Sequence, residues 1–225
     1  MGEIHWEYLF DAGLALKSFP YVIQGLGLTL LIAFVGMIIG LGMGLFLALG
    51  RMSKWKALRW PARLYISFMR GTPILVFLYI LYFGLPVVGI QFSALTCALI
   101  GFSLNSAAYI AEIQRSALSS VEKGQWEAST ALGMSYWTTM REVVLPQATR
   151  IAIPPLSNVM LDLIKASSLA AVITVPELLH HAKIVGGREF DFMTMYILVA
   201  FIYWGVCVCV SFFQERLEKR YHYLH

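Results

Sequence analysis

Five long apolar stretches, separated by short polar or basic segments, make up most of the chain. The first runs from Ser18 to Gly50 without a charged residue, ample for one tilted membrane-spanning helix of about 20 or more residues. Gly36, Gly40 and Gly44 recur in it every fourth position, a small-residue face that lets helices approach closely in lipid. That face is expected to pack within the chain itself, a homodimer seam being the lesser alternative. The second stretch, Leu64 to Phe83, is interrupted by Arg70-Gly71-Thr72-Pro73, and Gly84, Pro86 and Gly89 then mark an uncharged turn. A third covers Phe92 to Ile113, and a fourth runs from Arg150 to Val175, where Pro154 and Pro155 are expected to kink its start. Pro176 to Asp191 reads as a loop, and Phe192 to Gln214 as an uninterrupted fifth span. The pattern predicts an all-α polytopic membrane protein, with five transmembrane helices at about 20–50, 62–84, 92–114, 150–175 and 192–214. Residues 1–17 precede the spans, 115–149 form the longest connection, and 217–225 a tail.

Composition agrees. Of 225 residues 59% are hydrophobic and 13% charged, against about a quarter charged in soluble domains. The net charge of +4 is loop Lys and Arg, not a nucleic-acid footprint. Twelve of the seventeen basic residues fall in three places: a basic loop at 51–63 (Arg51, Lys54, Lys56, Arg59, Arg63), the 115–149 connection with its flanking Arg150, and the tail. Only Lys17, Lys183 and Arg188 fall in the alternate segments. The positive-inside rule then puts the N-terminus outside, the C-terminus inside, and 115–149 in the cytoplasm. Cys97, Cys207 and Cys209 lie in apolar runs, which suits packing rather than a disulfide framework. Glu3, Glu7 and Asp11 are the opposite of a basic leader, so no signal peptide is expected and the first span stays attached. No stretch has the spacing of a phosphate-binding loop: Gly44 to Arg51 lacks the Lys-Ser/Thr ending. An energy source must therefore be a partner.

Within the long connection lies EASTALGMSYWTTMREVVLP, Glu127 to Pro146. Glu127 to Leu132 favours helix, Gly133 can take the left-handed turn that ends it, and Ser135 can cap a second helix to Leu145. Small Ala and Ser side chains suit the first helix to a partner's groove; the plain alternative is an amphipathic connector. The spacing of Glu127, Ala128, Ser129, Gly133, Val143, Leu145 and Pro146 resembles the coupling loop by which ABC importer membrane subunits contact their ATPase. Further blocks carry the likeness: YISFMRGTP (Tyr65–Pro73), LNSAAYIAEIQRSAL (Leu104–Leu118), LPQATR (Leu145–Arg150), PPLSN (Pro154–Asn158) and KASSLAAVITVPELL (Lys165–Leu179). In their order the chain resembles a permease of the polar amino acid family of ABC importers, nearest its cystine and sulfur amino acid branch. It departs at Ala166, where many members carry Asp after the Lys, which puts a role for that position in doubt.

The resemblance implies a type I ABC importer transmembrane domain over 18–216, in the bacterial plasma (inner) membrane. Two permease subunits, identical or paired with a relative, would form the pathway within the lipid. Two cytoplasmic ATPase subunits would dock at Glu127 to Leu145, and an extracytoplasmic binding protein would deliver a polar amino acid, L-cystine being one candidate. The chain itself would hold no cofactor, the partner ATPase binding the ATP, and would use no metal, no catalytic residue and no nucleic acid. An ATP-independent secondary carrier is the rival reading; a membrane enzyme would need a nucleophile, base and orienting group that are not recognisable here.

Charges inside spans cost about 2.5–3.5 kcal/mol each on insertion scales, so they tend to face a cavity or a partner. Arg70, Glu112, Asp162 and Lys165 are such charges. Arg70 adjoins the helix break and can take an α-carboxylate bidentately, or instead cap broken-helix carbonyls or pair with Glu112. Asp162 and Lys165 are three apart, in reach of each other. Asn105, Ser106 and Tyr109 supply neutral donors and acceptors. The resemblance implies a substrate pathway over Arg70, Thr72, Asn105, Tyr109, Ser167 and Ser168, although Ser can equally bond its own helix. His180 and His181 lack further ligands for a metal.

Overall fold

The computed structural model describes residues 9–222, helical throughout with short connections and no strand among them. Residues 1–8 of the expected N-terminal segment and 223–225 of the tail lie outside them. Four helical stretches are long and apolar enough to cross a membrane: Ala12–Met52, Ala94–Ser120, Tyr136–Ile173 and Phe192–Arg216. Lys56–Gly71 and Ile74–Val88 pass the same test only as a pair, bent by 101° at the break between them, which gives four spans, or five with that pair counted as one.

The first span starts earlier than expected. Helix α1 (Ala12–Val22) begins inside the 1–17 segment because Asp11 caps it, its Oδ1 accepting the Leu14 N–H at 2.9 Å. A 3-10 turn, Ile23–Gly25, leads into α2 (Leu26–Met52). The basic 51–63 segment is mostly helix rather than loop: α3 (Lys56–Gly71) starts at once, since Lys and Arg are good helix formers and Ala62, Ile66 and Met69 give it a buried face. It ends at Thr72, extended at φ −105° and ψ 131° as a residue before proline must be. Then come α4 (Ile74–Tyr79), a π turn, a 3-10 turn, and the left-handed Gly89.

Helix α5 (Ala94–Ser120) outruns the expected third span. The long connection therefore shrinks to α6 (Lys123–Ala131), a knuckle, and α7 (Tyr136–Thr139). The second docking helix does not stop at Leu145 but continues through a π turn, Met140–Val144, into α8 (Leu145–Ala166). Pro146 lacks an N–H and its ring crowds the carbonyl four residues back, which the widened turn relieves. Pro154 and Pro155 lie inside α8, which is continuous through both. The expected 176–191 loop is helix α9 (Leu178–Glu189), with Leu178, Ala182 and Val185 buried. The fifth span, α10 (Phe192–His222), carries the helix on into the expected tail.

The described chain forms two compact units. One comprises 9–35, 74–102 and 161–210. Its core joins Val22 of α1, Leu178, Ala182 and Val185 of α9, and Met195, Val199 and Ile202 of α10. The backbone of Glu177 and Leu178 lies so close to Gly25 that a Cβ there would meet it at 2.4–2.6 Å. Glu177 is fully buried and accepts from the His180 N–H at 2.8 Å and from the Tyr203 hydroxyl. Burial raises its carboxyl above the ordinary value of 4.5, against the pull of those bonds.

The other unit comprises 36–73, 103–160 and 211–222. Here the glycine face of α2 does pack inside the chain: Ile110 side-chain atoms lie 2.8–2.9 Å from where a Cβ on Gly40 or Gly44 would stand. Ser106 Oγ donates to the Gly36 carbonyl at 2.8 Å, a buried interhelical bond. A second cluster (Ala117, Val121, Val144, Ala148 and Ala152) holds α5 against α8.

Candidate functional site

Two arrangements in the second unit gather most of the expected site residues. The first surrounds Glu112, whose side chain is 17% exposed. Arg51, at the end of α2, donates to its Oε1. Arg115 reaches its Oε2 at 3.3 Å, and the Arg70 Nη1 stands 3.9 Å from the same oxygen. One carboxylate thus faces three guanidinium groups. The Arg70 side chain, 46% exposed, also stacks over the Tyr109 ring with 5.5 Å to its centroid. The Asn105 side-chain amide donates to the Met69 carbonyl at 3.0 Å, and the Tyr65 hydroxyl to the Leu104 carbonyl at 2.8 Å. Those bonds tie α5 to the last turns of α3, just before the break. A cavity of about 640 Å³ opens here, lined by Arg51, Arg63, Ser67, Arg70 and Tyr109 among others.

Arg70, Asn105 and Tyr109 therefore gather around one feature. Thr72 ends α3 beside it, its N–H on the Phe68 carbonyl at 3.0 Å. Ser167 and Ser168 belong to the first unit. Ser167 is fully buried, its hydroxyl donating to the Ile164 carbonyl at 2.7 Å. Ser168 is exposed but bonds the Lys165 carbonyl at 2.8 Å. Asp162 and Lys165 pair at 2.9 Å. Among the described residues no three His, Cys, Asp or Glu side chains come together as metal ligands.

The second arrangement is the α6–α7 module. Helix α6 closes in a Schellman turn: the Gly133 N–H bonds the Thr130 carbonyl and the Met134 N–H the Ser129 carbonyl, both at 3.0 Å. Gly133 takes φ +75°, the left-handed conformation that favours glycine. Ser135 caps α7, accepting the Thr138 N–H at 3.2 Å. Trp126 packs on the Ala117–Val144 cluster and stacks with Tyr136 at 5.6 Å, which pins the module down. Glu127, Ala128, Leu145 and Pro146 are exposed, as are Leu132 and Trp137. Ser129 is the exception among the expected docking residues: it is buried and donates to the Gln125 carbonyl, so it shapes the helix from within.

Residues 36–223, from α2 past the end of α10, match the family described as the binding-protein-dependent transport system inner membrane component. The chain belongs to this family. It is 69% identical to the probable amino-acid ABC transporter permease YckA of Bacillus subtilis (strain 168) over the whole of both chains. With the L-cystine transport system permease TcyB of the same organism it shares 43% identity over 202 residues, 89% of this chain and 86% of TcyB. Among solved structures it resembles an amino acid ABC transporter crystallised with histidines, with a TM-score of 0.88, 36% identity, and 93% and 98% of the two chains covered. The MetNI methionine ABC transporter, at 20% identity and a TM-score of 0.70 over 94% and 99% of the chains, shares the fold. The fold is that of type I ABC importer membrane subunits, and the chain is a multi-pass inner-membrane transport component, not an enzyme.

Sequence reasoning reached Arg70 with Glu112 but not Arg51 or the triple pairing, because Arg51 lies 61 residues from its partner. It also passed over Glu177, whose one signal is a lone carboxylate closing the uncharged run that begins at Ala166.

Proposed function

We propose that this chain is the permease subunit of an ATP-driven importer that carries a polar amino acid, L-cystine first among the candidates, from an extracytoplasmic binding protein into the cytoplasm. The α6–α7 module carries this reading. It presents Glu127, Ala128, Leu132 and Trp137 outward from a rigid, twice-capped knuckle, the form a docking surface for a soluble partner needs. The positive-inside balance supports placing that module in the cytoplasm, with the N-terminus outside. Two copies, or this chain and a relative, line the pathway, and the ATPase subunits bind the ATP. The likeness to TcyB and YckA supports an amino acid as cargo. Nucleotide and substrate drive transport by binding the inward- and outward-facing conformations unequally.

The test is Gly133→Val in the assembled transporter. A Cβ at Gly133 would meet nothing within 4 Å, so the variant's strain is confined to its own backbone. The left-handed backbone costs an L-residue about 1–2 kcal/mol, which tips the knuckle about 5- to 30-fold away from its docking shape. ATP-driven uptake from an amino acid panel falls accordingly, while the permease still reaches the membrane and releases its ATPase in mild detergent. Unchanged uptake and ATPase retention would overturn the docking assignment.

A further inference from the structure

Helix α3 has three faces. Ala62, Ile66 and Met69 are buried, Trp60, Leu64 and Phe68 are exposed and apolar, and Arg59, Arg63, Ser67 and Arg70 form a polar stripe between them. At 1.5 Å per residue the stripe runs about 16 Å along the axis. It ends at the break after Gly71, where Arg70 and Tyr109 meet. Arg51, Arg63 and Arg70 all line the 640 Å³ cavity on this stripe. The nearest carboxylate, Glu112, is already shared by Arg51, Arg70 and Arg115. Arg63 is exposed and makes no hydrogen bond or ion pair among the described residues. The cavity therefore carries a surplus of positive charge, with one guanidinium uncommitted.

We propose that this cavity is an exit station for the carboxylate of the transported amino acid, with Arg63 the group that receives it after Arg70. The inference rests on the importer reading above. A planar guanidinium binds a carboxylate through two parallel N–H···O bonds, and the cavity is roomy enough for an amino acid. A lipid phosphate has the same chemistry, but a headgroup layer is only about 5–8 Å deep. A stripe about 16 Å long, running from the basic end of α3 to its break, fits a conduit better than one interfacial level. A station of this kind fills from inside when internal amino acid accumulates, and then slows further import.

The experiment uses the assembled transporter in liposomes with ATP inside. Uptake is measured for whichever labelled amino acid of a panel headed by L-cystine the wild type transports best. The lumen holds that same amino acid unlabelled, or its carboxyl methyl ester. The wild type is inhibited by the internal amino acid and not by the ester. Arg63→Gln raises the internal concentration for half-inhibition about tenfold, as expected for loss of one charge-assisted bond, and Arg63→Lys restores part of the sensitivity. Arg63→Gln inhibited like the wild type, or equal inhibition by the ester, would overturn the exit station while leaving the importer intact. An Arg63→Gln effect that appears only in vesicles containing phosphatidylglycerol would reassign the site to lipid and also overturn it. A wild type that imports no amino acid would remove the importer reading, and the station with it.

Discussion

Gly25→Ala tests the close approach of α9's first turn to the first span. A Cβ on Gly25 would stand 2.4 Å from the Glu177 carbonyl carbon and 2.5 Å from the Leu178 nitrogen. Ordinary contact begins near 3.4 Å, so roughly 1 Å of movement is required, and both atoms are backbone. The first turn of α9 must shift as a block, which strains the bond from the Leu178 N–H to Thr29 Oγ1 (3.4 Å) and the contacts of buried Glu177. Overpacking of this kind costs about 1–3 kcal/mol, and weakening a buried polar contact adds about 1–3 kcal/mol. Alanine's better helix propensity returns at most about 1 kcal/mol. The expected net loss is about 1–6 kcal/mol. Gly27, two residues on, is the matched control, since a Cβ there meets nothing within 4 Å. Gly27→Ala should be neutral or slightly stabilising. Thermal unfolding of the purified subunit in one detergent, followed by tryptophan fluorescence, compares the two. Equal melting temperatures would refute the argument that this approach is backbone on backbone.

Two further outcomes follow from buried charge. Because Glu177 is raised by burial, the folded chain holds its proton more tightly than the unfolded chain does. The stability it contributes is full below 4.5 and is lost as pH rises through the raised value. Glu177→Gln should therefore flatten the fall in melting temperature with rising pH; His181, held low by burial, acts in the opposite sense in both proteins and cancels in the difference. A wild type and variant with parallel pH profiles would contradict this. Around Glu112 the losses should rank by commitment: Glu112→Gln leaves Arg51 and Arg115 without their counter-ion and costs at most about 3 kcal/mol, the low end of a buried pair's loss because both guanidiniums are about a third exposed. Arg70→Gln, half-exposed and 3.9 Å away, should cost under about 1 kcal/mol. Equal destabilisation in a melting assay would remove the shared-carboxylate picture.

Spans, the break at Arg70–Pro73 and the Gly133 knuckle were legible because each is local: apolar length, a proline's demand on its predecessor, a glycine between two helical runs. Helix α9 was not, since His180, His181, Lys183 and Arg188 dilute its apolar face and its cap is a glutamate rather than Ser, Thr, Asp or Asn. The orientations of Ser129 and Ser167 were also hidden. A serine in a helix reads the same whether it faces a pathway or bonds its own backbone, and only the neighbouring helices decide. The Glu112 cluster needs residues from three helices, and the span pattern does not say which faces meet.

The N–H of Asp11 donates to Thr194 Oγ1 at 2.9 Å, and Thr194 in turn takes the Asp191 cap. The partners lie 183 residues apart. A ribosome adding about 5–20 residues per second therefore leaves a gap of roughly 10–40 s between them. For that interval α1 and α2 sit in the bilayer with Ser18 and Thr29 lacking their eventual surroundings, and Val22 has no core to enter. The unit that holds the first span is closed by the last span made, so any truncation or stall before Thr194 strands the first span half-finished. Quality control that recognises exposed polar groups in lipid has its longest opportunity in that window.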